Sequence, residues 1–242
     1  MAPGSTSLPA PALQASDIHK SFGGRPVLRG ADLTVAPGQL VAVAGGNGAG
    51  KSTLLKILAG ALPLDRGRVV LSGSLGYCPQ DPVLNAALTV EQHLRYFAAA
   101  RRLPDIARGR ELVRLLGYER YARAAAGVLP GGTRQKLNLT LALLHDPDVL
   151  LLDEPCQGLD RETYRRFWDL AQDLRDRGRA VVVTTPVVVE QDPFDLLADL
   201  TDGRLVPRGG RRDRAGRPPR ADPQPHVRLT GSTGGGGARP RD

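Results

Sequence analysis

The chain has 242 residues, 41% of them hydrophobic, enough to bury a sizeable core in one large or two small domains. Its net charge of +8 would suit nucleic acid, but residues 207–242 hold nine arginines and three aspartates, which leaves only +2 for residues 1–206 and no expectation of a nucleic-acid partner. Two cysteines, Cys78 and Cys156, give no disulfide framework and no metal-ligand spacing, which suits a reducing cytosol, and neither a signal-peptide pattern nor an apolar run of membrane-spanning length occurs.

Residues 1–12, rich in Pro, Ala and Ser, read as a disordered leader. Alternating strands are predicted from Leu13 to Ile18, at Val27-Leu28 and from Leu33 to Val35, with turns at Gly23-Gly24 and Pro37-Gly38. Phe22 falls between two of them on a loop. Its ring suits stacking on a nucleobase and equally an ordinary place at a sheet edge, and spacing does not choose between them.

The apolar run Leu40 to Ala44 then leads into GGNGAGKST, residues 45–53, followed by a helical pattern at Leu54, Leu55, Ile57 and Leu58. Gly45, Gly50, Lys51 and Ser52 fit G-x-x-x-x-G-K-[ST], and both flanks are right for a phosphate cradle. Backbone N–H groups of Gly45, Gly46, Asn47, Gly48, Ala49, Gly50, Lys51, Ser52 and Thr53 can turn toward an anion at a helix N-terminus. Lys51 supplies a point charge for β- and γ-phosphates, and Ser52 Oγ can ligate Mg²⁺. A triphosphate is the expected ligand.

Two further strands are predicted at Arg68 to Leu71 and Leu75 to Tyr77, after which Gln80 stands at a strand exit, free to reach the site. Thr89-Val90-Glu91-Gln92 opens a helix with a capping box, running to about Arg102 with Leu94, Phe97 and Ala98 on one face. A second helix lies near Ile106 to Leu116. Residues from about 85 to 145 form a helical insertion, with His145 at a helix C-terminus.

Val149 to Leu152, ending in Asp153-Glu154, reads as a fully buried parallel strand with carboxylates at its carboxyl end, where a phosphate-bound Mg²⁺ is met. Asp153 would hold the metal through water or Ser52, and Glu154 would orient or deprotonate an attacking water. Arg161 to Asp176 is an amphipathic helix, Ala180 to Thr185 a buried strand, and Asp202-Gly203 a hairpin turn between Ala198–Thr201 and Arg204–Val206. Beyond Val206, glycine and proline make up 14 of 36 residues and no fold is expected. The arginines there could meet anionic lipid headgroups or simply be solvated. Cys78 and Cys156 fit small core residues or a redox influence on the site.

The order GGNGAGKST, YCPQ, LPGGTRQK (Leu129 to Lys136), VLLLDEP and GLD (Gly158 to Asp160) resembles the nucleotide-binding subunit of an ABC transporter over residues 13–206. The resemblance implies an α/β fold: a P-loop NTPase core with an antiparallel β subdomain and an inserted helical subdomain, similar in its helical block to bacterial drug and polysaccharide exporters. It implies ATP and Mg²⁺ as ligands, with Phe22 stacking on adenine, Gln80 sensing metal and membrane partner, and Glu154 as catalytic base. It also implies two partners, an integral membrane transport subunit and a second ATP-binding subunit, and a place on the cytoplasmic face of the membrane.

Two motifs depart from that family. Its signature loop, usually LSGGQ, closes over the γ-phosphate of the other subunit in a head-to-tail dimer. Here Pro130 takes the Ser position and Thr133 the Gln position, so a contact worth roughly 1.5–3 kcal/mol is lost, while Gly131 and Gly132 still offer their backbone. Where the family has a switch histidine after the last core strand, this chain has Pro186, and His19, His93, His145 and His226 all lie elsewhere. The favoured expectation is an ATPase that is slow but retains turnover, because Lys51, Ser52, Asp153 and Glu154 are intact. A degenerate half of a heterodimer with little hydrolysis is one alternative. A soluble ABC ATPase working on ribosomes or DNA is another, disfavoured by a single cassette without zinc cysteines or sustained heptads.

Overall fold

A computed structural model describes residues 10–186 and 193–208, so the tail expected beyond Val206 lies almost wholly outside the described residues. Of the leader expected over residues 1–12, residues 1–9 lie outside the described residues. Ala12 is already buried, its N–H donating to Val35 O and its carbonyl accepting from Ser72 N.

Among the described residues nine strands form two sheets. The first is antiparallel, in the order β2-β1-β4, from β1 (Leu13–Phe22), β2 (Arg25–Val35) and β4 (Arg66–Leu71). Two long strands thus replace the three short ones read from the pattern. Irregular register after Ala15, with Asp17 at φ 52°, breaks the alternation on which that reading rested, and the ladder continues past the break. Phe22 is correspondingly the last residue of β1 rather than part of a loop.

The second sheet has the order β5-β6-β7-β3-β8-β9, built from β3 (Leu40–Ala44), β5 (Leu75–Cys78), β6 (Val149–Asp153), β7 (Ala180–Thr185), β8 (Leu196–Thr201) and β9 (Arg204–Arg208). All pairs are parallel except β8 with β9, which turns at Asp202-Gly203 as the sequence suggested and runs to Arg208, two residues past the expected end. The consecutive strands β4 and β5 do not pair; the chain changes sheet at Ser72-Gly73-Ser74.

Five α-helices among the described residues cover the sheets: α1 (Lys51–Leu58), α2 (Val90–Ala100), α3 (Ala107–Leu115), α4 (Gly131–Leu143) and α5 (Arg161–Asp176). Thr89 caps α2 with the expected capping box, its Oγ1 accepting from Gln92 N while Gln92 Oε1 accepts from Thr89 N. Alternate residues of the parallel strands feed two separate cores. Val41, Val43, Val149, Leu151 and Val182 pack with α1 and the antiparallel sheet, whereas Leu40, Leu150, Leu152, Val181 and Val183 pack with α5 and α2 to α4. Gly76 in β5 lets α4 come down onto the sheet, since a side chain there would collide with Ala142 O. Among the described residues no helix is long and apolar enough to cross a membrane.

Candidate functional site

Parallel register sets the site. Ala44 pairs with Thr185, Asp153 with Thr184 and Cys78 with Leu152, so Gly45, Pro186, Glu154 and Gln80 all emerge at one edge of the sheet. Gln80 and Glu154 each stand two residues past a paired position, which places them side by side, and Gln80 Nε2 donates to Glu154 Oε2 at 3.2 Å and to Gln157 Oε1 at 3.4 Å.

The loop from Gly45 to Gly50 wraps from β3 into α1. Gly50 is the N-cap of α1 at φ 101°, left-handed backbone that glycine adopts freely, and a Cβ there would stand 2.9 Å from Val27 of β2. Gly46, Asn47 and Gly48 are exposed, and Ala49 N turns back to Gly46 O at 3.2 Å. Lys51 is nearly buried at 5% exposure. Its Nζ lies 2.8 Å from Gly45 O, 3.2 Å from Gly46 O and 3.2 Å from Glu154 Oε1. Ser52 and Thr53 follow in the first turn of α1, partly buried.

Asp153 ends β6 with no exposure. Its Oδ1 accepts from Thr184 Oγ1 at 2.6 Å, while Oδ2 is buried without a protein partner. Glu154 belongs to the turn beyond the strand, not to its end as the sequence reading had it. At φ 47° it takes a left-handed backbone that costs a non-glycine residue about 1–3 kcal/mol. Its N–H donates to Thr184 Oγ1 at 3.0 Å and its carbonyl accepts from Gln157 N, and this turn swings the carboxylate out to meet Lys51 and Gln80.

Thr184 belongs to the candidate site by its contacts, and the sequence reading did not single it out. Fully buried in β7, it donates to one acidic residue and accepts from the next. The available signal was the pair of hydroxyls, Thr184 and Thr185, that closes an apolar β-branched run, which gains meaning only once β7 is known to lie beside β6.

The orphaned Oδ2 of Asp153 fits a hydrated divalent cation, because a buried carboxylate oxygen needs a partner and Mg²⁺ keeps several of its waters. Among the described residues no group of three or more His, Cys, Asp or Glu side chains forms a metal cage. Ser52 Oγ and the side-chain carbonyl oxygen of Gln80 are the other oxygen donors at this edge of the sheet that would suit such a cation. Tyr77 OH is also buried without a partner, and burial, then the Asp153 charge, raise the phenol's pKa and keep it protonated.

Other predicted residues stand farther out. Phe22 is 48% exposed at the hairpin tip, with Lys20 Nζ 5.5 Å above its ring, and the same hairpin rests on the phosphate loop through Val27. Pro130 is the N-cap of α4, with Gly131 and Gly132 in the first turn, whose N–H groups lack intrahelical partners. Their contacts run to the turn after β6: a Cβ on Gly132 would lie 2.5 Å from Gly158 O, and Lys136 Nζ is 3.4 Å from Asp160 Oδ2. Pro186 is exposed beside a polar cleft of about 490 Å³ lined by Gly45, Gly46, Asp199, Thr201 and Arg208. Of the histidines, His19 contacts Asp17 and His93 lies inside the helical insertion. His145 lies just past α4 with Nε2 against Leu75 O, and His226 is outside the described residues. Cys78 is fully buried, which pushes its thiol pKa up and suits the core role; Cys156 is partly buried.

Residues 28–157 match the family model described as ABC transporter. The chain is 32% identical over 219 residues to the Nod factor export ATP-binding protein I of Burkholderia lata, covering 84% of this chain and 72% of that one. It is 28% identical over 213 residues to ABC transporter G family member 20 of Dictyostelium discoideum, but spans only 29% of that protein's length. Among solved structures, an ATP-binding subunit of an ABC transporter superposes with a TM-score of 0.75 at 28% identity, covering 80% of this chain and 88% of the other.

Proposed function

We propose, from the premise that this chain belongs to the ABC transporter family as an ATP-binding chain, that residues 13–208 bind ATP with Mg²⁺ and hydrolyse it to drive transport through a separate membrane subunit. The observation that carries this reading is the meeting of Lys51, Glu154 and Gln80, with Asp153 behind them, where the phosphate loop leaves the sheet. Gly45 to Thr53 would cradle the phosphates, with Lys51 exchanging Glu154 for the β- and γ-phosphates. Ser52, Gln80 and Asp153 would hold Mg²⁺, which neutralises phosphate charge when bound. Glu154, released from Lys51, is then placed to orient a water and take its proton.

In a head-to-tail pair, Gly131 and Gly132 of each subunit would face the other's nucleotide and Phe22 would lie against the adenine. The resemblance and the relative named for Nod factor export support export, with the chain held peripherally at the cytoplasmic face. Pro130 and Pro186 support slow turnover. Titration of ATP into wild type and Lys51→Ala tests the reading. Binding should be lost in the variant because the cradle loses its point charge, and equal affinity in the two proteins would refute the phosphate-site assignment.

A further inference from the structure

Three buried side-chain polar atoms lack a protein partner among the described residues, and two of them, Tyr77 OH and Asp153 Oδ2, lie on adjacent strands. Tyr77 pairs with Leu151 in the β5–β6 register, and Asp153 is two residues beyond Leu151. Both side chains therefore leave the same face of the sheet, the face that packs on α1. Neighbouring strands lie about 4.8 Å apart and two residues rise about 6.6 Å, so the Cα atoms are separated by roughly 8 Å, a distance that a phenol leaning along its strand shortens considerably. No direct hydrogen bond forms, yet each atom requires a partner: one is a donor, the other an acceptor, and a bridging water satisfies both.

We propose that Tyr77 is a positioning residue for the metal site: its O–H donates to an ordered water that in turn donates to Asp153 Oδ2. Thr184 fixes Oδ1, so this second hold leaves the carboxylate one orientation toward the cation. Outer hydrogen bonds of this kind tune metal affinity without touching the metal. Neither the phosphate loop nor the nucleotide base is involved, so the effect belongs to the cation. The inference rests on Asp153 being the metal-side carboxylate of the proposed function.

The test is Tyr77→Phe, which removes one hydroxyl and keeps the ring, with Mn²⁺ as a spectroscopically visible cation in the presence of a non-hydrolysable ATP analogue. Mn²⁺ affinity should fall about three- to tenfold, the range for one hydrogen bond, while affinity for the analogue without metal is unchanged. In an Asp153→Asn background, which removes the acceptor charge, the same change should cost little further. Unaltered Mn²⁺ affinity in Tyr77→Phe, or an equal loss with metal-free analogue, overturns the inference. Wild-type protein that bound the analogue but no Mn²⁺ would overturn the metal-side assignment of Asp153 first, and this inference with it.

Discussion

Glu154→Gln tests a competition that the geometry sets up between the site and its ligand. The ion pair to Lys51 is 3.2 Å long and its partners are only 5% and 13% exposed, so solvent screens it weakly. At an effective dielectric constant near 20 the bare attraction at this distance is about 5 kcal/mol, but desolvation consumes most of it, and charge-assisted hydrogen bonds net roughly 1.5–3 kcal/mol. Glutamine keeps the shape and an acceptor oxygen, retaining about 0.5–1 kcal/mol of that, so the substitution should weaken the hold on Lys51 by roughly 1–2 kcal/mol. Phosphates must break this hold to reach Lys51, so nucleotide binding should tighten about five- to thirtyfold. The nucleotide-free variant should lose the same free energy in stability, a fall of roughly 2–8 °C in Tm for a chain of this size. Calorimetry with a non-hydrolysable analogue and thermal melts of the empty protein read the two sides. Unchanged affinity, or tighter binding with no loss of stability in the empty protein, would show that Lys51 is not restrained by Glu154.

Thr184→Val keeps the shape of a fully buried side chain but strands Asp153 Oδ1 and Glu154 N–H; a stability loss of about 1–3 kcal/mol and loss of ATP turnover should appear in denaturant melts and phosphate release, and a turnover equal to wild type would refute the anchoring role. Pro130→Ser and Pro186→His, measured with a membrane partner, should each raise turnover tenfold or more if the missing contacts hold the barrier up by about 1.4 kcal/mol apiece, and no gain from the double change would show that the loops already compensate. Burial, ahead of the repulsion from Arg101, lowers the His145 pKa. The unfolded chain then binds the extra proton first, so this contribution is present above an unfolded pKa of about 6.5 and is lost as pH falls below it. Stability of wild type should drop more between pH 7 and 5 than that of His145→Gln, and parallel curves would refute the assignment.

Much of the site was legible because its signals are local. The phosphate loop is one short run, and α5 occupies the predicted Arg161–Asp176 because Asp160 accepts from Thr163 N and an amphipathic stripe follows. Thr89 likewise announces α2 by its capping box. Three features were hidden because they depend on distant pairing. The role of Thr184 requires the β6–β7 register. The division of β4 and β5 between sheets follows from where each finds a partner, and nothing in Arg68 to Tyr77 states it. The Lys51–Glu154 pair joins residues far apart in sequence through a left-handed turn at Glu154 that no local propensity favours.

The attachments of α4 tie the helical insertion to the strand layer at the site itself. Composition and connectivity assign this helix to the insertion spanning about 85–145, yet it is bolted to the strand layer at both ends. Its first turn sits on Gly158 O with no room for a methyl group, and its last turn lies on Gly76 of β5. Between them Asn138 Nδ2 donates to Pro79 O at 2.7 Å and Gln135 Nε2 to Pro155 O at 3.4 Å, the exits of β5 and β6. These bonds place α4, although part of the insertion, directly against the exits of the two strands that carry Gln80 and Glu154 to the site.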